Sequence, residues 1–184
     1  GMAFKYYNLS DEEKNFIQVG DHKKLLTFNI MTTTDNRRRD KSKINRKIIE
    51  ENLNKNGFHN EILSNIEYFK NFRDYKFVIS PEGNGIDTHR NYESLMLGCI
   101  PICEFNYKIF KKYSDLPILF TKDYSEITEE YLEKKYIEFK NKYFNFSKLL
   151  FSYYDSEKQK ELKFKENFWI NYFIKKKKLI KKKM

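Results

Sequence analysis

The stretch SPEGNGIDTHRNYESLMLGCIP, Ser80 to Pro101, differs from the Lys-, Asn-, Phe- and Tyr-rich sequence on both sides of it. It follows the apolar run Phe77–Ser80 and leads into a second apolar run, CIPIC (99–103). Between them, Gly83 and Gly85 can adopt a positive φ and let another group approach the backbone closely. A strand, a glycine loop and a helix in this order are typical of the ligand-binding edge of an α/β fold.

The helix of this stretch is predicted to carry a nucleotide. We expect Asp87 to cap a helix that runs from Thr88 to about Leu97 and that Gly98 ends. The free N–H groups at a helix start favour an anion. Arg90 lies in the first turn, where a cation opposes the helix dipole unless something negative is bound nearby. Glu93, further along, would accept hydrogen bonds from both ribose hydroxyls, while Arg90 pairs a phosphate oxygen.

Each of these features also has an ordinary explanation. Arg90 and Glu93 are three residues apart and can form a surface pair, just as His89 and Glu93 share a helix face at a spacing of four. Gly83 and Gly85 can belong to a simple turn, and His89 can be a capping or packed histidine. Taken singly these explanations are favoured, whereas the combination favours a ligand site.

The remaining sequence predicts a parallel α/β fold. Strands are expected at 24–31, 77–80, 99–103 and 117–120, and helices at about 11–18, 40–56, after 64, 88–97, 125–142 and within 147–175. Strands separated by helices of ten or more residues form β-α-β units. We therefore expect a Rossmann-like, three-layer parallel sheet with helices on both faces and a helical C-terminal extension. Residues 1–174 are expected to form a single domain.

The basic charge is concentrated in a tail, 175–184. Seven of these ten residues are lysines, and without them the excess of basic over acidic side chains falls from 10 to 3. The tail could attract a polyanion or an anionic membrane, although a solvated helix end or frayed terminus is the favoured explanation. Cys99 and Cys103 flank a proline in a predicted buried strand, which predicts free thiols and a reducing compartment. With no apolar run of about 18 residues and no signal peptide, we expect a cytoplasmic protein without a transmembrane segment.

The pattern F-V-x-S-P-x-G-N-G-I-D-x-H-R-x-x-E-x-L-x-x-G-x-I-P-I, residues 77–102, resembles the exostosin-like glycosyltransferases and their small microbial and viral relatives. The resemblance continues upstream in FNIMTTTDNRRR (28–39), where Arg39 matches an arginine of the family, and downstream in LPILFTKDYSEITEEYLE (116–133). Together these stretches cover roughly residues 24–140.

The resemblance implies the C-terminal, donor-binding half of a GT-B glycosyltransferase. Such enzymes bind a nucleotide sugar, here expected to carry UDP with GDP as the alternative, need no obligatory metal or other cofactor, and transfer the sugar with inversion. On this basis Glu93 binds the ribose, and Arg90 and Arg39 bind the diphosphate. The implied donor-binding residues are Arg39, Glu82, Gly83, Asn84, Gly85, Asp87, Thr88, His89, Arg90 and Glu93.

The acceptor is expected to be a carbohydrate or glycoconjugate. An inverting enzyme needs a base that deprotonates the acceptor hydroxyl, and in the family this base usually comes from the N-terminal half. The first predicted strand begins at residue 24, so we expect a separate acceptor-binding domain or subunit. His89 and Asp87 are the weak candidates for a catalytic base within the chain.

Three other functions compete with this interpretation. A module that binds a nucleotide or phosphate without chemistry has the same sequence features and differs only in lacking turnover. A polyanion binder would use residues 37–39, the tail and the aromatic stretch NFWINYFIKKKK (167–178), and its binding would weaken steeply with salt; no specific nucleic acid is expected. A metal-dependent hydrolase would use Asp87, His89 and Glu93 and would respond to a chelator.

Overall fold

The computed structural model describes residues 18–33, 44–64, 67–68, 71–83 and 87–164, without the side chains of 163 and 164. Its strands are β1 (Lys24–Thr27), β2 (Tyr75–Ile79), β3 (Ile100–Glu104) and β4 (Leu119–Thr121). Its helices are α1 (Arg46–Lys55), α2 (His89–Met96), α3 (Tyr107–Tyr113), α4 (Glu129–Lys140) and α5 (Ser156–Phe164). Short 3-10 turns span Phe72–Asp74, Phe146–Leu149 and Phe151–Tyr153.

The four strands form one sheet in the order β1-β2-β3-β4, and all neighbours are parallel. Phe77 of β2 pairs with Leu26 of β1 and with Ile100 of β3, which fixes the register across the first three strands. Because all the strands run parallel, their carboxyl ends lie at the same edge of the sheet. Each connection must cross back over the sheet to start the next strand. The predicted Rossmann-like α/β fold is confirmed.

Both faces of the sheet are buried. Phe77 and Val78 are adjacent in β2 and therefore point to opposite faces, yet they are only 0% and 1% exposed. The Phe77 ring lies 6.3 Å from that of Tyr136 in α4, whereas Val78 packs against Phe72 and Cys99. An almost entirely apolar strand is what a sheet covered on both sides requires.

Side-chain caps fix where three of the helices begin. The amide oxygen of Asn45 accepts a hydrogen bond from Ile48 N at 2.9 Å and starts α1. Asn106 caps α3 in the same way, and Thr128 caps α4. These caps satisfy backbone N–H groups that have no partner within the helix.

The predicted cap of α2 is wrong. Thr88, not Asp87, is the N-cap residue, and its side chain makes no capping hydrogen bond. The carboxylate of Asp87 is instead bonded to side chains of α2 and α3, among them Tyr113. The predicted end of the helix is confirmed, because Gly98 follows it with a φ of 74°.

Two predicted boundaries also change. The strand expected over 24–31 ends at Thr27, since the side chain of Asn60 bonds both the N–H and the C=O of Ile30 at 2.9 Å. These backbone groups are therefore satisfied outside the sheet. The helix expected over 125–142 begins only at Glu129, because Tyr124 turns the chain with a φ of 65°. Helix α3 was not predicted at all.

The chain divides after Phe146 into two compact units. The sheet and α1 to α4 belong to the first unit, and α5 to the second. The single domain expected over 1–174 stays a prediction, and most of the helix expected at 11–18, residues 37–39, Trp169 and the tail lie outside the described residues. In the described ranges, every helix is too short or too polar to cross a membrane.

Close packing leaves no room for a side chain at Gly98, whereas a side chain at Gly57 would have space. Both have a positive φ, but a Cβ on Gly98 would lie 2.6 Å from the carbonyl oxygen of Gln18, while one on Gly57 would meet nothing within 4 Å. We expect Gly57→Ala to lower the free energy of unfolding by about 1 kcal/mol, the cost of a left-handed backbone. Gly98→Ala should cost roughly 2–4 kcal/mol, because overpacking is added.

Urea unfolding followed by far-UV circular dichroism measures both values. Gly57→Ala is the matched control, since it shares the backbone conformation without the steric clash. Equal losses in the two variants would contradict the packing described here.

Candidate functional site

A cavity of about 200 Å³ lies where the loops after β1 and β2 meet the first turns of α1 and α2. Its lining consists of Arg46, Pro81, Gly83, Asp87, Thr88, His89 and Arg90. Five of the predicted donor-binding residues are thus brought together. Three others, Arg39, Asn84 and Gly85, lie outside the described residues.

Arg90 connects the ends of two strands. Its Nη1 donates to the carbonyl oxygens of Asn29, at 2.6 Å, and Ile79, at 3.1 Å. Its guanidinium carbon lies 5.2 Å from the ring centre of Tyr68, a cation–π contact. These partners offset the cost of a cation at a helix start, so the position of Arg90 does not by itself require a bound anion.

Arg46 is a site residue that the sequence analysis did not identify. It is the first residue of α1, and its Nη1 and Nη2 donate to the carbonyl oxygens of Met31, at 3.1 Å, and Glu82, at 3.2 Å. It therefore connects the loop after β1 to the loop after β2. The capping residue Asn45 was the available signal, because an N-cap places the next side chain in the first helical turn.

The lining of the cavity contains two arginines, Arg46 and Arg90, against one carboxylate residue, Asp87, and two features favour an anion there. The guanidinium groups of Arg46 and Arg90 both line it, and both belong to the first turn of a helix, where the dipole adds positive potential. The backbone N–H groups at the start of α2 lie at the same place. This arrangement is suited to an anion with several oxygens, such as a diphosphate.

Glu93, the predicted ribose ligand, is buried. Only 4% of the residue is exposed. Tyr68 donates from its hydroxyl to Glu93 Oε2 at 3.5 Å, and His89 Nε2 lies 3.9 Å from Oε1. Burial raises the pKa of this carboxyl, against the opposing effects of His89, Arg90 and Tyr68. In this conformation a ribose can reach Glu93 only if a neighbouring side chain moves.

Asp87 anchors the start of α2 to α3. Its Oδ2 accepts hydrogen bonds from Tyr92 at 2.9 Å, Tyr113 at 2.8 Å and Lys112 at 3.0 Å. The two tyrosine hydroxyls also lie next to each other, and burial is the main reason that the pKa of each is raised. Side chains of this chain therefore already occupy Asp87 Oδ2.

Buried polar side chains fix the loop after β2. Ser80 donates to Asn91 Oδ1 at 2.6 Å and lies 3.2 Å from the hydroxyl of Thr88. On the other side, Glu104 Oε2 accepts from the backbone N–H of Glu82 at 3.1 Å. Glu82 therefore contacts Glu104 and Arg46 through its backbone. The described residues of this loop are therefore held from both β3 and α2.

The three residues of the hydrolase alternative do not form a metal site. Across the described part of the chain, no group of three or more His, Cys, Asp and Glu side chains is arranged to hold a metal ion. Asp87 is bonded to tyrosine and lysine donors, while Glu93 is buried beside His89. The carboxylates thus serve two separate sets of contacts.

Replacing the buried carboxyl, Glu93→Gln, is expected to change how stability depends on pH. The pKa of Glu93 is raised in the folded state, so the folded protein holds the proton more tightly than the unfolded chain does. The contribution of the Glu93 carboxyl to the free energy of unfolding is fully present below its ordinary pKa of 4.5. This contribution is lost as pH rises through the raised pKa of the folded state. Each unit by which the pKa is raised corresponds to about 1.4 kcal/mol.

The variant lacks this loss, so its free energy of unfolding should increase relative to that of the parent protein between pH 4.5 and neutral pH. Urea denaturation at several pH values measures the difference. Glu130→Gln is the control, because Glu130 is an exposed carboxylate of α4. A difference that does not vary with pH would show that Glu93 ionises normally.

The sequence was compared with models of protein families and with curated proteins. Neither comparison gave a match. The resemblance to exostosin-like glycosyltransferases therefore stays a prediction from the motif residues.

Proposed function

We propose that the protein binds a nucleoside-diphosphate sugar, with UDP as the nucleotide, and acts as a glycosyltransferase or as its donor-binding half. The observation that carries this proposal is the joint placement of Arg46, Arg90 and the start of α2 around one cavity. Guanidinium groups bind phosphate oxygens in pairs, and the helix N–H groups add further donors. The two cations would neutralise a diphosphate, so the proposal includes no metal.

The size of the cavity fits part of the donor. Sites for whole ligands of this kind measure roughly 300–1,000 Å³, whereas this cavity measures about 200 Å³. It would therefore hold the diphosphate, with the ribose reaching Glu93 after His89 or Tyr68 moves. The side chain of His89 is 77% exposed, so its movement costs little packing.

The donor sugar would lie near the loop after β2. Gly83 lines the cavity without a side chain, and Asp87, Thr88 and His89 border it on the helix side. Transfer to a carbohydrate or glycoconjugate acceptor would need a base, which we assign to a separate acceptor-binding domain or subunit.

Cys99 and Cys103 are free and buried, which agrees with a reducing, cytoplasmic location.

A binding module without chemistry is the second candidate. The observation that favours it is the set of side chains bonded to Asp87 Oδ2, namely Tyr92, Lys112 and Tyr113, which occupy the oxygen that would have to contact the acceptor's hydroxyl. Release of UDP from UDP-glucose, UDP-galactose and UDP-N-acetylglucosamine, tested with simple saccharide acceptors, would identify an enzyme that is active on its own. Binding without release is expected both of the module and of a donor-binding half whose base lies in a separate domain.

Calorimetric titration with UDP tests the site. We expect Arg46→Ala and Arg90→Ala each to weaken binding by about 1.5–3 kcal/mol, the range for a hydrogen bond to a charged group, or roughly 10- to 150-fold. Arg73→Ala is the matched control, because Arg73 lies two residues before β2, at the opposite edge of the sheet.

Unchanged affinity in both cavity variants, with each shown to be folded by circular dichroism, would contradict the proposal. A variant truncated after Ile174 tests the polyanion alternative. Donor binding in the cavity should survive this truncation, whereas binding through the tail would be lost with it and would fall steeply with salt.

A further inference from the structure

A second cavity lies at the same edge of the sheet, beyond β3 and β4, and the nucleotide proposed above does not use it. It measures about 540 Å³, which is within the range of sites that enclose a small ligand. Phe105 follows β3, and Phe120 and Thr121 end β4. Open α/β sheets bind ligands outside the carboxyl ends of their strands.

Phe105 and Phe120 line this cavity and belong to a partly exposed aromatic cluster that also includes Phe110. The rings of Phe105, Phe110 and Phe120 contact one another, with centroids 5.6 to 6.0 Å apart. Phe105 is 55% exposed and Phe110 42%. Contiguous exposed apolar surface of this kind marks an interaction site more often than isolated exposed side chains do.

The rest of the lining includes two carboxylates that are held in place by hydrogen bonds. Asp123 Oδ1 accepts hydrogen bonds from the backbone N–H and the hydroxyl of Ser125, at 3.0 and 2.6 Å, and these bonds lower the pKa of Asp123. Glu126 Oε1 accepts from Thr121 at 2.6 Å. Lys122 is the cation of the lining. Two carboxylates against one ammonium disfavour a phosphate and favour a neutral ligand with several hydroxyl donors.

We propose that this second cavity binds a saccharide. The C–H groups on one face of a pyranose would pack on Phe105 and Phe120, since the face of an aromatic ring is its negative side. Hydroxyl groups at the sugar's edge would donate to Asp123 and Glu126. If the proposed function holds, this cavity would hold one sugar of the acceptor, and the separate domain proposed above would supply the base and the remaining acceptor contacts. That role rests on the proposed function, whereas binding of the sugar itself does not.

Saturation-transfer difference NMR, without nucleotide, tests the proposal. The probes are the methyl glycosides of α-glucose, α-galactose, α-mannose and β-N-acetylglucosamine, and uridine is tested beside them. We expect the ring protons of at least one to be saturated, and Phe105→Ala and Asp123→Asn each to reduce the signal at least fivefold. Tyr143→Ala, which removes an aromatic side chain that is 90% exposed, is the control and should leave it unchanged.

Three outcomes would overturn the proposal. The first is no saturation of any methyl glycoside, and the second is a full signal in Phe105→Ala and Asp123→Asn. The third is saturation of uridine alone, which would make the aromatic cluster a platform for a nucleobase. The NMR experiment contains no nucleotide, so it is independent of the calorimetric titration with UDP. Saccharide binding without UDP binding would refute the donor site and support the saccharide site. UDP binding without saccharide binding would support the donor site and refute the saccharide site.

Discussion

The arrangement of the site depends on arginine side chains that hold backbone carbonyls at the carboxyl edge of the sheet. Arg90 joins Asn29 and Ile79, and Arg46 joins Met31 and Glu82. Each arginine thereby connects the segment after β1 to β2 or to the loop that follows it. A cation in the first turn of a helix is unfavourable in isolation, and these carbonyl oxygens compensate for it. The same contacts hold two positive charges beside one cavity.

The parallel sheet explains why two cavities share one edge. All strands end on the same side, so the loops after β2, β3 and β4 are brought side by side. Glu104, at the end of β3, accepts from the N–H of Glu82 on one side and from the hydroxyl of Tyr124 on the other, at 3.1 and 3.2 Å. The cavity with two arginines favours an anion, whereas the one with two carboxylates favours neutral hydroxyl groups. The first preference suits a nucleotide, which is an anion, and the second suits a saccharide, which is neutral.

Much of the fold was predictable because its signals are local. Apolar runs bounded by polar residues located all four strands, and Gly98 located the end of α2. The extra length assigned to the first strand could not be corrected from sequence, since Ile30 is satisfied by Asn60, 30 residues away. Helix α3 was missed because seven residues are too few for a clear helical period.

The candidate site was predictable only in part. Five predicted residues do line the cavity, because the strand–loop–helix pattern fixes their neighbourhood. The roles of individual side chains depend on distant partners: Asp87 is held by Tyr113 of the unpredicted α3, and Glu93 is closed in by its neighbours. Arg46 is distant from the motif in sequence and joins it only through the fold.

Backbone chemical-shift mapping with UDP would test the central claim most directly, namely that the starts of α1 and α2 form one anion site. Amide resonances are recorded with and without UDP, and uridine is used as the control without phosphate. We expect UDP, and not uridine, to shift the amides of Arg46 and of Thr88 to Arg90. Shifts confined to the lysine tail, or equal shifts with uridine, would contradict it.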